Sequence, residues 1–234
     1  MPGKIKVGNK LIGTACKTFI IAELAGAPMG SVERAKKLIS GAKDAGADAV
    51  KLQKFSAEEL VMKDNKYFDA LKKAEFSDAE WKELHAFAKK QGLIFIADLF
   101  DNYSLEFLNK LPVDAFKIHT TDINNIPLIE KIAQTRKPIF LAVGAASFHE
   151  IEKAIVTIRN HHDKIVLMYG FQSYPTKIED SNLNRLHLLK EKFGLNVGFL
   201  DHTDGSSALA KILPSLSLAK VFEIHYEPII LLNF

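Results

Sequence analysis

A closed (β/α)8 barrel, the TIM-barrel architecture of the α/β class, is the fold that the 234-residue sequence predicts, on three observations. Short apolar runs recur eight times along the chain. They are near-continuous rather than alternating, as in parallel strands covered on both faces. Amphipathic segments fill most of the gaps between them, and strand, helix, strand in repetition gives parallel pairing with right-handed crossovers.

The expected strands are Phe19–Ala22, Ala49–Gln53, Ile94–Ala97, Ala115–Ile118, Pro138–Ala142, Ile165–Tyr169, Asn196–Leu200 and Val221–His225. Ala35, Leu38, Ile39 and Ala42 mark one face of an early helix that Gly46 can end, and Leu186, Leu189 and Phe193 do the same before Gly194. Ser77 with Glu80, and Ser147 with Glu150, have capping-box spacing, and Phe76 with Trp81 fits a hydrophobic staple. Lys4–Ile12, with Gly8-Asn9 as its turn, is expected to form a hairpin plugging the barrel bottom. After His225 only Tyr226–Phe234 follow, and they include Pro228, so an eighth crossover helix is not expected there. Either that helix is missing or another chain covers the apolar face. Such a face is usually covered, so a homodimer is expected, with Ile229–Leu232 as one candidate cover. Residues 1–234 are read as a single domain.

Hydrophobic residues make up 47% and charged residues 25%, the balance of a globular chain able to bury a large core. The net charge of +3 is too mild and too dispersed for a nucleic-acid footprint. No apolar run approaches the length of a membrane span, and the N-terminus lacks a signal-peptide pattern. Cys16 is the one cysteine, which excludes an intrachain disulfide and points to a reducing, cytoplasmic setting.

Sites of such barrels collect at the C-terminal strand ends. Polar residues recur there: Glu23, then Lys51 and Gln53, Asp98, Lys117 and His119 with Thr120 and Asp122, Tyr169 with Gln172 and Tyr174, Asp201 and His202, Glu223 and His225. An internal echo, Asp48-Ala49-Val50-Lys51-Leu52-Gln53 against Asp114-Ala115-Phe116-Lys117-Ile118-His119, puts two lysines at the same phase of their strands. Two ammonium groups at one mouth suit a phosphate or carboxylate between them. The alternative is that each lysine pairs with a nearby carboxylate, such as Glu23 or Asp98. His202 and His225 lie on neighbouring strand ends and can hold a divalent metal. The alternative there is a pair of histidines hydrogen-bonded to Asp201 and Glu223.

Ile20-Ile21-Ala22-Glu23, Gly30-Ser31, Ala45-Gly46-Ala47-Asp48-Ala49-Val50-Lys51-Leu52-Gln53, Phe116-Lys117-Ile118, Tyr174-Pro175-Thr176, Val197-Gly198-Phe199 and Asp201-His202-Thr203 resemble, in order and spacing, the sialic acid synthase family. The resemblance implies condensation of phosphoenolpyruvate with an N-acetylmannosamine-type aldehyde, with release of phosphate. It implies a divalent metal, manganese first and magnesium or cobalt as alternatives, on His202 and His225. It implies that Lys51 and Lys117 hold phosphoenolpyruvate with Thr120, that Glu23, Gln53, Gln172 and Tyr174 lie on the substrate side, and that Asp122 stands where a glutamate moves a proton. The family's C-terminal antifreeze-like domain is not found in the sequence.

The sequence also departs from the family. Ala27-Pro28-Met29-Gly30 replaces Asn-His-Asn-Gly, Ala142-Val143-Gly144-Ala145 replaces Ser-Thr-Gly-Met, and Leu200 replaces a serine. Ala97-Asp98-Leu99-Phe100 replaces Ser-Thr-Pro-Phe, which puts a carboxylate where a hydroxyl helps bind phosphoenolpyruvate. These changes leave two alternatives beside the synthase: a barrel lyase or aldolase that does not use phosphoenolpyruvate, and a non-catalytic binding or regulatory paralogue.

Overall fold

The computed structural model describes residues 2–171, 173–203 and 219–225. An antiparallel hairpin, β1 (Ile5–Val7) and β2 (Lys10–Ile12), precedes eight parallel strands that close into a barrel. These are β3 (Phe19–Glu23), β4 (Ala49–Lys54), β5 (Ile94–Leu99), β6 (Ala115–Ile118), β7 (Ile139–Ala142), β8 (Ile165–Tyr169), β9 (Asn196–Asp201) and β10 (Val221–His225). They stand in sequence order round the barrel, and β10 pairs with β3 to close it. The described helices are α1 (Val32–Asp44), α2 (Ala57–Leu60), α3 (Phe68–Ala74), α4 (Asp78–Lys90), α5 (Asn102–Lys110), α6 (Ile126–Gln134), α7 (Phe148–Arg159) and α8 (Asn184–Phe193). The sequence between β9 and β10, 204–218, and Tyr226–Phe234, on which the expectation of a missing eighth helix falls, lie outside the described residues.

Alternate strand residues face opposite sides of the sheet, and this divides the apolar core in two. Phe19, Ile21, Ile94, Ile96, Phe140, Val166, Met168, Leu200 and Val221 fill the interior together with Ile5, Val7 and Ile12 of the hairpin. The hairpin therefore plugs the end from which the strands start, as the sequence predicts. Between sheet and helices, a larger cluster holds Leu38, Ile39, Phe95, Trp81, Phe116, Ile132, Ile155, Leu189 and Phe222. Gly198 faces inward, and a Cβ there would lie 2.5 Å from the Met168 sulfur and 2.8 Å from Val221 Cβ. Only glycine permits that approach.

Both capping boxes form: Ser77 and Ser147 each accept from the backbone N–H three residues on, while Glu80 and Glu150 reach back to them. Trp81, 1% exposed, meets Phe95 edge-on at 5.8 Å between ring centroids. Gly46, at φ +85°, follows α1 and Gly194, at φ +64°, ends α8. The internal echo has a structural counterpart at the strand starts. Asp48 accepts the Ile20 N–H at 3.0 Å, and Asp114 accepts the Phe95 N–H at 2.8 Å. Each aspartate thus ties its own strand to the preceding one.

Two differences from expectation have physical reasons. Strands β3, β4, β5 and β9 run one or two residues further at their C-terminal ends, through Glu23, Lys54, Leu99 and Asp201. An apolar run ends at a charge, whereas a backbone ladder continues wherever that charge is paired. The short helices α2 and α3 bury little (only Ala57 is buried), so they have no apolar periodicity to reveal them.

Replacement of Trp81 by alanine is expected to cost about 3–5 kcal/mol, and Ser77→Ala about 1 kcal/mol. Urea unfolding of the two variants beside the parent chain measures both.

Candidate active site

Above the apolar plug, the next inward residues are charged. Glu23, Lys51, Asp98, Lys117 and Glu223 come from the five adjacent strands β3, β4, β5, β6 and β10. Register brings them together: Glu23 lies opposite Lys51, and Asp98 opposite both Gln53 and Lys117. All five are buried, none more than 3% exposed. Above Asn196 at the foot of β9, the inward positions of β7, β8 and β9 are apolar (Phe140, Ala142, Val166, Met168, Leu200), so the charges form one arc and apolar side chains the other.

Within the arc, Lys51 Nζ contacts Glu23 Oε2 and reaches Glu223 Oε1 at 2.9 Å and Asp98 Oδ2 at 3.4 Å. Lys117 Nζ donates to Glu223 Oε1 at 2.8 Å and lies 3.8 Å from Asp98 Oδ2. Glu23 Oε1 accepts the Ala25 N–H at 2.7 Å. Asp98 Oδ1 has no hydrogen-bond partner among the described residues. The pairing of each lysine with carboxylates is therefore what the structure shows. Burial opposes the charge on Lys51, but Glu223, Glu23 and Asp98 around it hold its ammonium well above the usual lysine range. Burial pushes the Glu23 carboxyl up, and Lys51 is the main influence pulling it down. The buried arc thus holds three carboxyl groups against two lysines.

At the rim, His202 is 4% exposed, and its Nδ1 is bonded to the Phe171 carbonyl at 2.7 Å. A carbonyl only accepts, so Nδ1 carries the hydrogen and Nε2 keeps its lone pair. Tyr174 OH donates to that Nε2 at 2.9 Å, its ring centroid 4.3 Å from the imidazole. Burial pushes the His202 pKa down to about 4, so the ring is neutral near pH 7. Asp201 accepts from the Thr203 N–H and hydroxyl at 3.0 and 2.7 Å. The carbonyl of Phe171, not Asp201, is thus the group that orients His202.

Thr120 is buried at the start of a 3-10 turn, Thr120–Asp122, just after β6. Asp122 is half-buried in that turn and accepts from Thr121 Oγ1 at 3.1 Å and Asn125 Nδ2 at 3.2 Å. Gln53 is half-buried beside Asp98 in the ladder. Gln172 lies outside the described residues, as does the His225 side chain, though the His225 backbone pairs with Glu23 in the sheet. The structure thus joins Glu23, Lys51, Asp98 and Lys117 in one cluster and Tyr174 to His202, while Asp122 bonds to its sequence neighbours Thr121 and Asn125. Tyr169, counted among the strand-end polar residues, instead packs outward in the sheet–helix core. Glu223 is the residue undervalued by sequence reasoning. It binds both lysines, and its position two residues before His225, on the same face of a strand, is the signal that marks it.

No group of three His, Cys, Asp or Glu side chains suited to a metal ion occurs among the described residues. The donor chemistry of His202 nonetheless fits a metal ligand: a neutral ring, its tautomer fixed by a carbonyl, with an Nε2 lone pair that now accepts from Tyr174 OH and that a metal would take over.

Removing Lys51 leaves Glu23 without its ammonium partner and three buried carboxyl groups facing Lys117 alone, so Lys51→Met is expected to cost about 3–5 kcal/mol by urea unfolding. His202 gives a pH dependence. Its folded pKa is about 4 against an ordinary 6.5, so in that window the unfolded chain binds a proton that the folded chain does not. The His202 contribution to stability is full above about pH 6.5 and is lost as the pH falls toward about 4. An NMR titration of the metal-free protein should place the His202 ring midpoint near 4 rather than 6.5.

Comparison with known proteins follows the same lines. Residues 38–227 match the model of the NeuB family. An uncharacterized protein, MJ1065, of Methanocaldococcus jannaschii is 38% identical over 95% of the chain and 66% of its own length. An N,N'-diacetyllegionaminic acid synthase of Legionella pneumophila is 32% identical over 94% of the chain and 66% of its own length. The chain thus spans 66% of each of these two relatives. A crystal structure of N-acetylneuraminic acid synthetase from Leptospira borgpetersenii, in complex with citrate, superposes with a TM-score of 0.91 at 32% identity, covering 97% of this chain and 79% of that one. Fold, motif order and family match agree: the chain belongs to the NeuB family.

Proposed function

We propose that this barrel carries the active site of a sugar-acid synthase that condenses phosphoenolpyruvate with an N-acetylmannosamine-type aldehyde. The observation that supports it most directly is the convergence of Lys51 and Lys117 on one buried point below His202 and Tyr174, within a fold shared with a sialic acid synthetase. In the reaction, the methylene carbon of phosphoenolpyruvate bonds to the aldehyde carbon, and the aldehyde oxygen takes a proton. Water adds to the resulting oxocarbenium carbon and gives up a proton, and inorganic phosphate leaves, so a 2-keto sugar acid remains.

The roles follow from the chemistry of each side chain. Lys51 and Lys117 hold the carboxylate and phosphate of phosphoenolpyruvate and stabilise charge as it moves to the phosphate, with Thr120 as a hydroxyl partner. Glu223 aims both lysine side chains, and Glu23 aims that of Lys51. Glu23, Gln53, Gln172 and Tyr174 contact the sugar, and Asp122 moves the proton to or from water. Leu200, Met168 and Ala142 exclude water from the opposite arc. His202 and His225 would hold the divalent metal, manganese first, and that metal when bound polarises the aldehyde oxygen as a Lewis acid. The second reading, a lyase or aldolase without phosphoenolpyruvate, is favoured by one observation, the buried carboxylate of Asp98 beside both lysines.

The test is release of inorganic phosphate from phosphoenolpyruvate with manganese and a panel of N-acetylated aldehyde sugars. Release is expected to need the sugar, to stop on chelation and return with manganese, and to fall about a hundred-fold or more in His202→Ala. A folded protein that binds manganese and releases no phosphate with any sugar contradicts the synthase reading.

A further inference from the structure

We propose that Asp98 is a built-in competitor on the lysine pair, and that it sets the anion selectivity of the site against phosphate-bearing ligands. The inference deepens the synthase reading and rests on it only for the identity of the natural ligand.

Two carboxylates already serve the two ammonium groups. Glu223 Oε1 lies 2.9 Å from Lys51 Nζ and 2.8 Å from Lys117 Nζ, and Glu23 contacts Lys51. Asp98 is the surplus charge. It is fully buried and stands between the same two lysines at the looser distances of 3.4 and 3.8 Å, and its Oδ1 has no hydrogen-bond partner among the described residues. A buried carboxylate held this way contributes little to stability, because the lysines do not need it for neutrality.

Its effect falls on whatever anion approaches the pair. A ligand carboxylate or phosphate seated on Lys51 and Lys117 lies within a few ångströms of Asp98 in a poorly screened interior, where like charges repel strongly. The repulsion scales with ligand charge, so a phosphate dianion suffers more than a monocarboxylate. The arc opposite is lined by Ala142, Met168 and Leu200 among the described residues, which bring no donor side chain. Asp98 therefore raises the concentration of phosphoenolpyruvate needed to fill the site, and favours ligands of lower charge.

The experiment is isothermal titration of the full chain with inorganic phosphate, phosphoenolpyruvate and pyruvate, comparing the parent with Asp98→Asn and Asp98→Glu. Asparagine keeps the shape and removes the charge; glutamate keeps the charge. Asp98→Asn is expected to bind phosphate and phosphoenolpyruvate about ten-fold more tightly or better, with a smaller gain for pyruvate. Asp98→Glu is expected to show no such gain. Thermal melting verifies folding, with Asp98→Ser as the substitute should the asparagine variant not fold. The inference is overturned if Asp98→Asn binds phosphate no better than the parent, if the gain is the same for pyruvate, or if neither protein binds phosphate. Phosphate bound more tightly by Asp98→Asn with no turnover of phosphoenolpyruvate keeps this inference and removes the synthase reading. Turnover with equal phosphate affinity does the reverse.

Discussion

Five buried charges inside a closed barrel are the constraint on which the rest of the structure depends. An ammonium group at the centre of a β-barrel is tolerable only if carboxylates surround it, and Lys51 meets that condition with Glu23, Glu223 and Asp98. Glu223 comes from β10, the last strand, so the ion cluster is complete only when β10 has closed onto β3. Barrel closure therefore completes the site. The apolar plug beneath, with the hairpin residues Ile5, Val7 and Ile12, seals the cluster from below and keeps the interior poorly screened. Electrostatic effects of any ligand at the top are correspondingly large.

The lopsided lining follows from the same economy of charge. Strands β7, β8 and β9 present apolar groups inward, so polar chemistry is confined to one arc and its rim. His202 stands where the apolar arc meets the rim, held by the Phe171 carbonyl and Tyr174. Its neutrality follows from burial, and neutrality is what a metal-binding imidazole requires. The site thus combines a strongly charged floor with a neutral imidazole above it.

Much of this was legible in the sequence because a period of two places side chains without knowledge of the fold. Lys51 with Gln53 and Glu223 with His225 share a face by spacing alone, and eight apolar runs with capped helices between them define the barrel. What the sequence could not reveal was pairing. Whether Lys51 faces an open mouth or a wall of carboxylates depends on register between strands, and register is a property of the closed sheet. The strand ends were harder for the same reason: a paired Glu23 or Asp98 continues the ladder, though hydropathy reads it as a break. Glu223 was undervalued because its neighbour His225 carried the stronger chemical signal. Tyr169 was misjudged because a polar residue at a strand end can point either way.

The proposed function rests on one central claim, that Lys51 and Lys117 form the anion seat of the barrel. A crystal structure grown with manganese and phosphoenolpyruvate tests it most directly. The account predicts ligand oxygens about 3 Å from both lysine Nζ atoms, with the ammonium groups drawn toward the ligand from Asp98. Phosphoenolpyruvate bound elsewhere, with both lysines still held by Glu23, Asp98 and Glu223, would contradict it.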